Sequence, residues 1–297
     1  VIRRTTAVPT NEQRRATAKR KLQRQLERRA QQARRRRIWI ITAVSVLAVA
    51  VVAAAITYFV TGKNSGHKTA APSTSATAPS PAPTASGLLP PFNPPAGLAD
   101  NCQYPASQQP ASKKVNPPRT GKVPTVPAQV SVSMVTDQGR VGLQLDNAKA
   151  PCTVNSFASL AQQGFFNDTP CHRLTTSPSL AVLQCGDPTG QGTGGPGYQF
   201  ANEYPTNQYP PGDPALQQPI VYPRGTLAMA NAGPDTNGSQ FFLVYKDSQL
   251  PPNYTAFGTI DQTGLATLDK IAAAGVAGGG ADGKPATPVT ITSVQLD

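Results

Sequence analysis

Histidine is almost missing from this 297-residue chain, which holds two, His67 and His172. A zinc cluster of the usual histidine and cysteine spacing lacks ligands, and no metal or other cofactor is expected. A Ser-His-Asp hydrolase would have to use His172, and no G-x-S-x-G elbow exists to present its serine. His172 reads instead as a hydrogen-bonded structural side chain. The stretch GQGTGG at 190–195 fits G-x-G-x-x-G in form, but Pro196 and Gly197 follow it. No helix N-terminus is then available to receive a pyrophosphate, which excludes dinucleotide binding. Net charge is also absent from most of the chain. The formal +12 lies in residues 1–37, where 14 Lys and Arg accompany Glu12 and Glu27, while residues 38–297 balance at 13 of each sign. Without a basic footprint beyond residue 37, the bulk of the protein is no nucleic-acid binder.

What is present divides the chain into four parts. The basic tail, 1–37, opens with a capping-box pattern from Thr10 to Gln13 and sets Ala18, Leu22, Leu26 and Ala30 at four-residue spacing. Such a tail suits anionic lipid, at about 1 kcal/mol per basic residue near the surface. Residues 38–60 carry no charge over 23 positions. As a helix they span about 34 Å, enough for a hydrocarbon core of about 30 Å. Arg34 to Arg37 precede the run, with Trp39 and Tyr58 near its ends. The positive-inside rule then predicts a cytoplasmic N-terminus and an extracytoplasmic remainder. Because the apolar run continues past Ala53-Ala54-Ala55, a single-pass uncleaved anchor in the cell membrane is expected rather than a signal peptide. Residues 61–100 hold eight prolines among Ala, Ser and Thr. They lack the apolar surface to offset their ordering entropy, so a disordered tether is expected, with an ordered lead-in completing 61–126. Residues 127–297 remain for one globular domain.

The patterning of that domain is mainly β. AQVSVSMVT (128–136) alternates apolar and polar, DQGR turns it, and VGLQL (141–145) returns. Pro151 sits at a first helical position; Val154, Phe157, Leu160 and Ala161 share one face, and Gly164 ends that helix. A second helix is expected near 264–273. CHRL, LAVLQC, GTLAMAN, SQFFLVY, AFGTI and VTITSVQLD are strand-like, and the absence of alternating βαβ units predicts an antiparallel barrel or sandwich. All four cysteines, Cys102, Cys152, Cys171 and Cys185, fall on the outward side, where an even count reads as disulfides.

One stretch is peculiar: MANAGPDTNGSQFF (229–242) joins a turn-rich polar loop to an aromatic pair. Together with CHRL, QCGD, GTGG and FG, it resembles the cyclophilins, the peptidyl-prolyl cis-trans isomerases, over roughly 128–297. The resemblance implies an eight-stranded antiparallel barrel with two helices. It also implies site roles. Arg173 matches the catalytic arginine, and Gln184 the glutamine that hydrogen-bonds near it. Ala230 and Asn231 match the pair that aligns the peptide backbone. Gln240 and Phe242 match a polar wall and the aromatic floor of the proline pocket, and Leu250 an aliphatic wall. Tyr254 stands where many members have histidine. The segment between Arg173 and Gln184 is longer than is usual in the family by about three residues, so positions before Gln184 are read back from it. That puts Ala181 and Val182 where the family has larger pocket residues, and leaves Leu180 able to fill the gap. Residues 206–219 read as an ordered insertion.

The resemblance implies isomerisation of Xaa-Pro bonds, and the expected anchor places it outside the cytoplasmic membrane, on exported or envelope proteins. Proline-containing peptides and unfolded proteins are then the partners. An altered pocket leaves an alternative, a catalytically weak module that binds proline-containing partners. With CHRL and LAVLQC as neighbouring antiparallel strands, a Cys171–Cys185 bridge is expected; elimination pairs Cys102 with Cys152.

Overall fold

The computed structural model describes residues 87–297. The basic tail, the anchor expected over 38–60 and the tether as far as residue 86 lie outside the described residues. Among those described, no helix is long and apolar enough to cross a membrane.

The opening hairpin joins β1 (Val130–Thr136) to β2 (Gly139–Leu145) in the register Thr136↔Gly139. Its alternation puts Val132, Met134, Val141, Leu143 and Leu145 inside. Helix α1 (Pro151–Gln162) has proline in its first turn, where a missing N–H costs nothing, and the chain turns away at Gly164 with φ 67°. Helix α2 (Gln262–Ala274) starts at Asp261, whose side chain accepts from Gly264 N at 2.6 Å, and stops at Gly275 with φ 77°. Both helices fall where the sequence predicts them.

The remaining strands are β3 (Thr169–Pro170), β4 (Arg173–Thr175), β5 (Val182–Cys185), β6 (Ile220–Tyr222), β7 (Thr226–Met229), β8 (Phe241–Val244), β9 (Ser248–Leu250), β10 (Ala256–Ile260), β11 (Asp282–Gly283) and β12 (Thr290–Leu296). The main sheet runs β11-β4-β5-β8-β7-β10-β2-β1-β12-β3, and β6 pairs with β9 apart from it. Eight strands of the main sheet have three or more residues; β3 and β11 are two-residue ladders. Only Cys171 and His172 separate β3 from β4, yet these strands lie towards opposite ends of the hydrogen-bonding order. The sheet therefore curls until its ends meet, which decides for a barrel over a sandwich. Its interior holds Leu143, Leu183, Leu227, Phe241, Leu243 and Phe257, and α1 lays Phe157 against Phe241 and Phe257 with centroids 5.4 Å apart in each pair.

Residues 87–126 are described throughout; those from 87 to 100 correct the disordered tether expected over 61–100, and 101–126 fall in the expected ordered lead-in. Together they form a strap packed on the barrel. Leu88 makes a parallel bridge to Val221 of β6, Tyr204 Oη donates to Pro90 O at 2.6 Å, and Phe92 meets the Tyr204 ring edge-on. Further along, Ala99, Cys102, Tyr104 and Val123 join the barrel's core cluster. Composition measures what a segment can bury against itself. This one buries Ala99, Cys102, Tyr104 and Val123 against the domain while Leu88 and Val126 stay exposed, and the Cys102–Cys152 disulfide, Cα atoms 5.3 Å apart, fastens it to α1.

Residues 206–219, expected as an insertion, are ordered, with short 3-10 turns at Thr206–Gln208 and Pro214–Gln217. Asp213 caps the second turn by accepting from Ala215 N at 2.8 Å.

Candidate active site

Strands β4, β5, β8 and β7 lie side by side, and their registers align Arg173↔Gln184, Gln184↔Phe242 and Phe242↔Ala228. Directly opposed residues in antiparallel strands share a face. The sheet thus lays a row across its outer surface from a cation, through an amide, to an aromatic ring.

The polar end of the row is one hydrogen-bonded chain. Arg173 donates from Nη1 to Gln184 Oε1 at 3.2 Å, and Gln184 Nε2 donates to Gln240 Oε1 at 2.9 Å. Gln240 Nε2 donates in turn to the carbonyls of Gly192 and Gly194, both at 3.0 Å. Here the GQGTGG loop finds its use. The Asp187 carboxylate accepts from Thr189, Thr193 and Gly194 backbone N–H groups at 2.7, 3.1 and 3.0 Å, which fixes the loop carbonyls that receive Gln240. Burial raises the Asp187 pKa, but these donors outweigh it and hold the carboxyl below its ordinary range. Gly186 has φ 89°, and a Cβ there would stand 2.2 Å from Ser239 O, so only glycine lets the two loops touch.

The apolar end is a cluster on the outer face, separate from the barrel core. Val182, Tyr204, Ile220, Tyr222, Ala228, Phe242, Val244 and Ala256 form its buried part. Leu180, Ala230, Leu250 and Tyr254 pack against it, with Tyr254 edge-on to Phe242 at 5.8 Å. Tyr222 is fully buried, and its hydroxyl donates to Tyr254 O at 2.8 Å, holding that turn. Leu89 and Phe92 of the strap pack on the same cluster. The 229–242 loop is tied down throughout. Asn231 Nδ2 donates to Asn253 O at 2.8 Å, Asn202 N to Asp235 Oδ1 at 2.8 Å, and Ser239 Oγ to Gly186 O at 2.7 Å.

Two expectations are corrected. Ala181 is buried in the barrel core and not in the outer cluster; Leu180 takes the place assigned to it. Side chains alternate along an extended chain, so 180 and 182 share the face that 181 cannot reach. His172 is not hydrogen-bonded: among the described residues, neither of its ring nitrogens has a partner, and burial lowers its pKa, favouring the neutral ring. It sits against Gly192, where a Cβ would meet Cδ2 and Nε2 at 3.4 Å. The expected second disulfide is present, joining Cys171 and Cys185 with Cα atoms 4.0 Å apart, beside the Arg173–Gln184 pair.

One residue at the site escaped sequence reasoning. Asp282 of β11 accepts from Arg173 Nε at 2.8 Å and from Nη2 at 2.7 Å. That bidentate hydrogen bond is the main reason the guanidinium pKa is raised and the Asp282 carboxyl is held below its usual range. The surrounding GGGADGKP offers no periodic signal; only pairing of β11 with β4 brings the aspartate here.

Residues 131–296 match the model of the cyclophilin type peptidyl-prolyl cis-trans isomerase family. The chain belongs to that family. Among its relatives, the probable peptidyl-prolyl cis-trans isomerase B of Mycobacterium tuberculosis is 68% identical over 98% of this chain and 95% of that protein. The protein of the same description in Mycobacterium leprae is 66% identical over 98% of this chain and 100% of its own length. A solved cyclophilin type isomerase from Cryptosporidium parvum is 28% identical, with a TM-score of 0.45 over 57% of this chain and 98% of that one. At the sequence level, the cyclophilin match begins within β1, and the strap precedes it. The chain is a peptidyl-prolyl cis-trans isomerase.

Proposed function

We propose that the barrel isomerises Xaa-Pro bonds in exported or envelope proteins outside the cytoplasmic membrane, held there by residues 38–60 with the basic tail on anionic lipid inside. The two disulfides support an oxidising compartment, and the uncharged run behind Arg34–Arg37 supports the anchor. Unfolded, proline-containing chains are the substrates, since uncatalysed exchange takes tens of seconds or longer.

The observation that carries the reading is the row Arg173–Gln184–Phe242. Rotation about a prolyl bond meets a barrier of about 18–20 kcal/mol from amide resonance. As conjugation breaks, the prolyl nitrogen gains a lone pair, and a donor aimed at it stabilises the twisted amide more than either planar form. In this reading Arg173 is that donor. The proline ring rests on Phe242 between Val182, Leu250 and Tyr254, with Leu180 narrowing one side. Ala230 and Asn231 align the peptide backbone, while Gln184 and Gln240 fix the guanidinium. No nucleophile, metal or cofactor is called for.

The test is Arg173→Ala. Turnover of a proline tetrapeptide should fall by roughly thirty-fold to several hundred-fold, the loss of about 2–4 kcal/mol of transition-state stabilisation. The fold should survive, because Arg173 is partly exposed and its partner Asp282 more so. A folded variant with wild-type turnover overturns the role of Arg173.

A further inference from the structure

We propose that Asp282 is a positioning residue for the isomerase reaction: it locks the Arg173 guanidinium in one orientation and selects which of its N–H groups face the substrate. The inference rests on the role of Arg173 proposed above. A guanidinium has five N–H donors in a planar fork. Asp282 takes two, Nε to Oδ1 at 2.8 Å and Nη2 to Oδ2 at 2.7 Å, and Gln184 takes one from Nη1 at 3.2 Å. Two remain, one on each terminal nitrogen, and these are the donors left for a substrate. A bidentate pair fixes a plane as well as a distance, so rotation about the last side-chain bond is stopped.

Both backbones that carry the pair are themselves held. Thr176 N donates to Ala281 O at 2.8 Å, and β11 lies on β4 in the register Asp282↔Thr175, Gly283↔Leu174. On the other side, Cys171 is bonded to Cys185, two residues ahead of Arg173. The pair itself stays wet, with side-chain exposures of 40% for Arg173 and 55% for Asp282. An exposed ion pair of this kind adds little to stability. Its effect is therefore expected in the rate.

The experiment measures kcat and KM of the full chain on a proline tetrapeptide for Asp282→Asn and Asp282→Glu, each in the native and the Arg173→Ala backgrounds. Asn keeps one acceptor and loses the bidentate carboxylate. In the native background Asp282→Asn should lower kcat by about ten- to a hundred-fold, the scale of a misplaced group, with KM changing by less than about two-fold. Asp282→Glu should recover part of the loss. In the Arg173→Ala background neither substitution should lower the residual rate further, since the two residues act as one unit. Exchange of the Arg173 Nε–H should be faster in Asp282→Asn than in the native protein. Native kcat in Asp282→Asn, or an equal loss in both backgrounds, overturns the positioning role while leaving that of Arg173 intact. Full turnover in Arg173→Ala alone overturns both.

Discussion

Replacing Phe242 by alanine should separate the proposed pocket floor from the proposed catalytic cation. Phe242 is 5% exposed, meets Tyr254 edge-on at 5.8 Å and lies directly opposite Gln184. Truncating a ring so enclosed costs about 3–5 kcal/mol of stability. The low end applies, because partly exposed Leu180, Leu250 and Tyr254 rim the outer cluster and water can enter the space instead of leaving a void. The loss in binding follows from the proline ring. Three methylenes resting on the floor, at about 0.8 kcal/mol each, amount to about 2.4 kcal/mol, or roughly sixty-fold. A floor holds the planar and twisted amides alike, so this loss falls mainly on KM and on kcat/KM. Losing the Arg173 donor, by contrast, falls on kcat. The assay is exchange on a proline tetrapeptide over a range of substrate concentrations, below a melting temperature measured on the same sample. Phe242→Leu is the companion variant: it restores most of the volume, so stability should return to within about 1.5 kcal/mol. Rate loss that persists there belongs to the flat ring. A folded Phe242→Ala protein with native kcat/KM would refute the argument that the proline ring rests on Phe242.

Other expectations concern pH and placement. Burial raises the Glu203 carboxyl to about 7, despite donors from Thr153 Oγ1 at 2.6 Å and the N–H groups of Thr153 and Cys152 at 2.7 and 3.0 Å. A folded-state pKa above the ordinary 4.5 means stability that is full below that value and lost as pH rises through about 7. Denaturant stability should therefore decline across that window by up to about 3 kcal/mol, and the slope should vanish in Glu203→Gln; an unchanged slope in that variant refutes the assignment. Protease added to intact cells should digest the barrel and spare residues 1–37, and digestion that begins only after lysis would place the barrel on the wrong side of the membrane.

Most of the barrel was legible because its signals are local. The alternation of 128–136, the proline opening α1 and the glycine closing it need no tertiary context. The cation–amide–aromatic row was legible because a long motif resemblance carried Arg173, Gln184 and Phe242 together. What escaped depends on distant pairing. Asp282 reaches Arg173 through a two-residue ladder to a chain segment 109 residues away. Ala181 was misplaced because counting back from Gln184 ignored the two-residue alternation that turns it inward. Residues 87–100 were misread as tether because their prolines predict weak cohesion and say nothing of adhesion to a finished surface.

That strap has a thermodynamic consequence. Leu89 and Phe92 lean on the cluster that contains Phe242, and Val221 N donates to Gly87 O at 2.8 Å. With the pocket proposed above, seating the strap and filling the pocket draw on the same apolar surface, so the two equilibria should be linked. Whatever factor a seated strap adds to or removes from peptide affinity, a bound peptide returns to the strap's own closing equilibrium. The amide of Val221 is then expected to serve as a gauge: its exchange with solvent should report, from outside the proposed pocket, whether a peptide is bound.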